Sequence, residues 1–173
     1  MSTLKVGTIQ DHQNSNTAIS IDNTGRILMP ARPAFRARIA GSTCATGVSG
    51  NIVFETEDFD IGGNYDHTTG EFTAPITGTY HIMFQGVSAT NTSGSKNNAA
   101  ENPYGDLQID GVDAPGTRVY GHIQSSQFHM PLIANHILQL TAGQKVRVNM
   151  KFEYIYSDSN PQFDPVFQGY LLG

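Results

Sequence analysis

Wherever apolar residues recur in this chain they alternate with polar ones at a period of two, the pattern of strands with one buried and one wetted face. From Val146 the even positions read Val146, Val148, Met150, Phe152, Tyr154 and Tyr156, with Arg147, Asn149, Lys151 and Glu153 between them. Ile155 is the single exception. Phe35, Ala37 and Ile39 alternate with Arg36 and Arg38, and Tyr80, Ile82 and Phe84 alternate with His81 and Gln85. Ile137 and Leu140 mark a shorter apolar core. No helix of three turns is predicted.

Turn signals separate these runs at the spacing of many short strands: Ile61-Gly62-Gly63-Asn64, Thr69-Gly70, Asp110-Gly111, Pro115-Gly116 and Ala142-Gly143. An all-β chain with frequent turns predicts a sandwich, jelly roll or barrel. The run from Gly70-Glu71-Phe72 through Pro75-Ile76-Thr77-Gly78-Thr79-Tyr80 and the ending Phe167-Gln168-Gly169-Tyr170-Leu171-Leu172-Gly173 set turns at fixed distances from aromatic and aliphatic anchors. Such spacing pins strand register. Ser88 to Pro103 differs: rich in Asn, Ser and Ala, it predicts a long surface loop.

Residues 1–32 read as a separate arm and 33–173 as the main domain. Leu4, Val6 and Thr8 alternate as a short strand, and Ala18 to Ile21 faces Arg26 to Met29 across Asp22-Asn23-Thr24-Gly25, a hairpin in which Gly25 supplies positive φ. Pro30 and Pro33 then interrupt any ladder, since neither can donate a backbone hydrogen bond. An arm this short cannot hold a core alone, because below about 40 residues a core rarely suffices. It is therefore expected to lie against a surface, on its own domain, a sister subunit or a larger assembly, through Leu4, Val6, Ile9, Ile19, Ile21, Ile27 and Leu28.

Composition narrows the partners. The 173 residues suit one main domain burying about 70% of its unfolded surface. With 10 Lys plus Arg against 15 Asp plus Glu, the net charge of -5 opposes a phosphate backbone, so nucleic acid is not expected as a partner. One cysteine, Cys44, allows no intrachain disulfide and reads as a half-buried thiol. No secretory leader and no stretch near the ~20 apolar residues of a membrane span is present, so a product made in the cytoplasm, without membrane insertion, is expected. Asn91-Thr92-Ser93 fits a glycosylation sequon but reads as polar loop.

Candidate chemistry is sparse. The six histidines, at 12, 67, 81, 122, 129 and 136, show no i, i+4 pair that would build a zinc site on a helix. Acidic residues cluster at Glu55-Thr56-Glu57-Asp58-Phe59-Asp60 and again at Asp106, Asp110 and Asp113, the latter being the calcium candidates because hard cations take several oxygens. Neither cluster has the calcium-loop pattern. No glycine-flanked nucleophile elbow or phosphate-binding Gly-x-x-x-x-Gly-Lys loop occurs, and catalytic residues are not assigned. The chain is expected to bind rather than catalyse, with no required cofactor.

Several ordered blocks carry a family resemblance. Pro33-Ala34-Phe35-Arg36-Ala37, Ile52-Val53-Phe54, Tyr65 through Gly70-Glu71-Phe72, Pro75-Ile76-Thr77-Gly78-Thr79-Tyr80 and Phe167-Gln168-Gly169-Tyr170-Leu171-Leu172 together resemble the C1q-type globular domain of the complement and tumour-necrosis-factor superfamily. Ala74 stands where many relatives carry cysteine. The resemblance implies an all-β jelly roll of about ten antiparallel strands, packed as a homotrimer and acting as an interaction module. It places some of Phe128, Met130, Phe163, Phe167 and Tyr170 between subunits, and Gly169 where a strand near the threefold axis needs close approach. Some trimeric relatives bind calcium near their apex.

The arm carries a second resemblance. Leu4-Lys5-Val6-Gly7-Thr8-Ile9-Gln10, Ala18-Ile19-Ser20-Ile21-Asp22 and Gly25-Arg26-Ile27-Leu28-Met29-Pro30 resemble the leader of virion appendage proteins in tailed phages of cyanobacteria and marine bacteria. It implies a virion structural protein whose arm docks on other virion proteins. The head would then meet a host-surface glycan or protein, with Asn91, Ser95, Lys96, Asn97 and Asn98 of the polar loop as contact residues. A capsid decoration trimer is the alternative, favoured by the lack of any heptad repeat for a fibre shaft. A glycan-cleaving depolymerase is the third reading, because the spacing of paired acids is a spatial property.

Overall fold

The computed structural model describes residues 4–13, 15–41, 45–46, 49–89, 103–121, 129–151, 154–156 and 164–173. Among them there is no helix, and every strand pairing is antiparallel. The arm contributes β1 (Thr8–Gln10), β2 (Thr17–Ile21) and β3 (Ile27–Leu28), which form their own sheet in that order. In its hairpin, Gly25 has φ 84° and Asp22 accepts the backbone N–H groups of Thr24 and Arg26, both at 2.9 Å. These donors hold the Asp22 carboxyl well below its ordinary range, the Arg26 N–H foremost. The strand expected at Leu4, Val6 and Thr8 begins only at Thr8, where pairing with Ser20 becomes possible.

The head begins with β4 (Ala34–Arg38), followed by β5 (Ala45–Thr46), β6 (Ser49–Ile52), β7 (Thr56–Ile61), β8 (Tyr65–Asp66), β9 (Glu71–Thr73) and β10 (Gly78–Ala89). After β11 (Tyr104–Ile109), β12 (Val112–Asp113) and β13 (Val119–Tyr120) come β14 (His129–Leu140), β15 (Lys145–Lys151), β16 (Tyr154–Tyr156) and β17 (Val166–Leu171). One head sheet has the order β5-β16-β10-β17-β4-β7, with β14 along the other edge of β10. The other has the order β12-β11-β15-β9-β8, with β13 beside β11 and β6 beside β15. Two sheets closed over one core make a jelly-roll β-sandwich.

The alternation decides which side chains enter that core. Phe35 and Ala37 of β4, Tyr80, Ile82 and Phe84 of β10, and Val146, Val148 and Met150 of β15 are all buried, while their neighbours in sequence face outward. At the centre Phe35 stacks on Phe72 at 4.6 Å and on Tyr65 at 5.1 Å, and the Phe167 ring meets Phe35 edge-on at 4.9 Å. The two anchored runs of the sequence lie side by side. Tyr80 pairs with Leu171, the Thr79 N–H donates to the Gly173 carbonyl at 2.7 Å, and the Leu172 N–H donates to Thr79 at 2.7 Å.

Two expectations change. The single strand read from Val146 to Tyr156 is two: β15 lies in one head sheet and β16 in the other. Alternation reports which face is buried, not which sheet covers it, so the crossing left only the irregular Ile155 as a trace. Ile137 and Leu140, read as parts of one apolar core, face opposite ways on β14, three residues apart: Leu140 is buried and Ile137 exposed.

Candidate interaction surface

The outer faces of the two head sheets differ in chemistry. On the sheet holding β11 and β15, the outward residues bond one another. Arg118 Nε donates to Asp106 Oδ2 at 2.7 Å and its Nη2 to Asp113 Oδ2 at 2.7 Å, while Asn149 Nδ2 donates to Asp106 Oδ1 at 2.8 Å. Gln108 links Asp113 to Arg147, and Glu71 accepts from both Arg147 and Lys145. The Arg118 guanidinium also lies over the Tyr104 ring, 4.1 Å from its centroid. The Asp106 carboxylate raises the Arg118 pKa further above its ordinary value. A face whose charges are paired in this way is content in water.

This network corrects the calcium expectation. Asp106 is buried with both oxygens taken, and Arg118 fills the space between it and Asp113 with a cation of its own. Asp110 sits on the turn after β11 and accepts the Lys145 N–H at 2.9 Å. Among the described residues no three His, Cys, Asp or Glu side chains converge as metal ligands. Of the histidines, His67 pairs with Glu57 at 2.9 Å and His136 Nε2 donates to the Thr117 carbonyl at 3.1 Å.

The sheet holding β14, β10, β17, β4 and β7 presents a different surface. Register places Ile133, Asn135 and Ile137 of β14 beside His81, Met83 and Gln85 of β10, then Tyr170 and Gln168 of β17, then Ala34 and Arg36 of β4, then Ile61 and Phe59 of β7, all facing outward. Ile133 is 59% exposed, Ile137 68% and Tyr170 42%, and Phe59 and Ile61 are also exposed. The charges here pair locally: Arg36 and Arg38 both reach Asp58, and Arg38 Nη1 donates to the buried Asp164 at 2.7 Å. Near the centre His81 Nε2 donates to Asn135, and its ring lies 5.0 Å from that of Tyr170. Its Nδ1 is buried with no hydrogen-bond partner.

The expected subunit contacts fall unevenly on this picture. Phe167 is corrected: it belongs to the core of its own chain and has no surface left for a neighbour. Gly169 is corrected with it, since a Cβ there would meet Ile82 Cδ1 at 2.5 Å and the His81 carbonyl at 3.0 Å, both within the chain. Tyr170 does lie on the outward apolar face. Phe128 and Phe163 lie outside the described residues, as do the Met130 side chain, Cys44, and the loop residues Asn91, Ser95, Lys96, Asn97 and Asn98. Sequence reasoning missed Ile133, Ile137, Phe59 and Ile61. For β14 a signal existed: Leu132, Ala134 and Leu140 occupy one parity and Ile133 and Ile137 the other, so the strand is apolar on both faces.

Two tyrosines with shifted pKa serve structure. Burial pushes the Tyr65 phenol up, and it donates to the Phe54 carbonyl at 3.0 Å; burial likewise raises Tyr80, which donates to Ile76 at 2.8 Å. In the arm, Leu4, Ile9, Ile21, Ile27 and Leu28 are exposed and Val6 nearly as much, while Ile19 is partly covered.

The C1q domain model matches residues 34–172. Among solved structures, the globular domain of zebrafish complement 1qA protein superposes with a TM-score of 0.53 at 18% identity, covering 82% of this chain and 98% of that one. Comparison with curated proteins gave no match. Such domains are non-enzymatic recognition or structural modules, often trimeric. From Ala34 to Leu172 this chain belongs to the C1q domain family.

Proposed function

We propose that the protein is a homotrimeric structural component of a tailed-phage particle, in which the arm anchors the trimer and the C1q-type head meets the host surface. The observation that carries the trimer is the contrast between the two outer faces. One is centred on a self-paired polar network, with exposed Val112 and Tyr120 only on its short edge strands β12 and β13, while the other leaves Ile133, Ile137, Tyr170, Phe59 and Ile61 open to water across β14, β17 and β7. An apolar face on a rigid sheet is stabilised by a covering partner, and a second and third copy supply a surface of matching chemistry. The phage setting is supported by the leader sequences of the arm, Leu4 to Gln10, Ala18 to Asp22 and Gly25 to Pro30.

The polar segment Ser88 to Pro103 is suited to recognition, and its flanks point the right way. Thr79, at the start of β10, bonds to the C-terminal Gly173 beside the stem of the arm. Ala89, Tyr104, His129 and Lys151 are strand ends at the opposite pole. Contacts by Asn91, Ser95, Lys96, Asn97 and Asn98 to a host glycan or protein, repeated threefold, gain about 10² to 10⁴ in avidity without strong single sites. A capsid decoration trimer is the second reading. It is favoured by an arm whose described residues form a short β sheet suited to clamping a neighbour.

Gold labelling of an epitope-tagged chain on purified particles tests this proposal. Label on tail or neck appendages, a dozen or so copies, is the expected result. Hundreds of copies spread over the shell would give the decoration reading, and particles without label would overturn both.

A further inference from the structure

The arm sheet gathers its isoleucines on one side. Pairing of Ile9 with Ile19 and of Ile21 with Ile27 puts these four isoleucines on one face, while Thr8, Ser20 and Leu28 face the other way. The isoleucine face is not covered by the chain's own head: Ile27 is 66% exposed and Ile9 and Ile21 are exposed too. Strands β1 to β3 pack chiefly on one another. A three-stranded sheet this small needs its hydrophobic face covered to be stable in water.

The position of the stem limits what can cover it. Hydrogen bonds from Arg32 to the Leu172 carbonyl and from the Leu171 N–H to the Pro33 carbonyl fix the arm's exit beside the end of β17. That exit opens onto Ala34, the first residue of β4, a central strand of the sheet whose outer face is the proposed subunit interface. The five residues Met29 to Pro33 reach at most about 18 Å even when fully extended. Three heads meeting on that face therefore release three arms close together and at the same pole. The hairpin's charges do not oppose a like surface, because Arg26 Nε pairs with Asp22 Oδ2 at 2.6 Å.

We infer that the isoleucine face of each arm, Ile9, Ile19, Ile21 and Ile27, is covered by the same face of the other two copies, so that the three arms close into a small shared β core beneath the heads. This rests on the trimer proposed above. It also assigns the arm's opposite face, with Thr8, Ala18, Ser20 and the exposed Leu28, to contacts with the particle.

Single-cysteine variants of the full chain in a Cys44→Ala background test it. Ile9→Cys and Ile27→Cys are oxidised in parallel with Ala18→Cys, which lies on the opposite face, and molar mass is measured by light scattering before oxidation. The expected result is a trimer in every case, with disulfide-linked dimers from at least one isoleucine position and at least tenfold less from Ala18→Cys. A second variant, Ile21→Asp, should speed tryptic cleavage after Arg26 at least tenfold. A trimer whose isoleucine positions do not cross-link and whose Arg26 cleavage is unchanged by Ile21→Asp would overturn the shared core, leaving a particle protein as the occupant. A monomer would overturn the trimer itself.

Discussion

Gly169 shows how a single position can be legible in chemistry and hidden in place. A glycine before Tyr170-Leu171-Leu172 signals close approach, and the close approach exists: an added Cβ would lie 3.0 Å from both the His81 carbonyl and the Phe35 ring. What the local sequence does not carry is the identity of the neighbour, which is β10 of the same chain rather than another subunit. A backbone oxygen held in a ladder cannot step aside. Gly169→Ala is therefore expected to cost about 1–3 kcal/mol by overpacking, read as a shift in the urea midpoint at unchanged slope. A loss within error would contradict the packing described. Asp106 teaches the same lesson for charge. Its role is set by Asn149 on β15 and by Arg118 in the segment just before β13, residues that no spacing around Asp110 and Asp113 could reveal.

At the scale of elements, period two located the buried faces of β4, β10 and the first part of β15 because those strands have one wet side. It failed where a strand changes sheets, as between β15 and β16, and where both sides are apolar, as in β14. Turn chemistry was the more local signal and so the easier one to read. The Asp66–Gly70 turn is closed by the Gly70 N–H on the Asp66 carbonyl at 2.8 Å, with Gly70 at φ 73° and room for no side chain, since a Cβ there would lie 2.6 Å from the Ile52 carbonyl. Thr68 donates its hydroxyl and its N–H to the Asp66 carboxylate, which lowers that pKa from 3.8 to about 2, the hydroxyl foremost. Because the folded value is depressed, the stabilisation is present above pH 3.8 and fades as pH falls toward about 2. The melting-temperature advantage of the native chain over Asp66→Ala should be constant from pH 7 to 5 and shrink below pH 4. An advantage that persists at pH 2 would contradict this origin.

For the whole molecule, the distribution of exposed apolar residues does what no single site does. The centre of one head face is a network of paired polar groups, the other carries exposed apolar side chains from β14 across to β7, and the arm has an isoleucine face of its own. The C1q domain family supplies the fold and its role as a module. The association of copies through the β14-β10-β17-β4 face is the claim on which the arm core, the avidity of the head and the particle role all depend. Ile137, 68% exposed at the edge strand of that face, is the place to strike, since it lies outside the core of the monomer. Multi-angle light scattering on the native chain and on Ile137→Asp tests the claim most directly. The expected result is three times the 18.7 kDa chain mass for the native protein and a shift to monomer for the variant, with its thermal unfolding still cooperative. A native monomer, or a trimer that Ile137→Asp leaves intact at micromolar concentration, would contradict it.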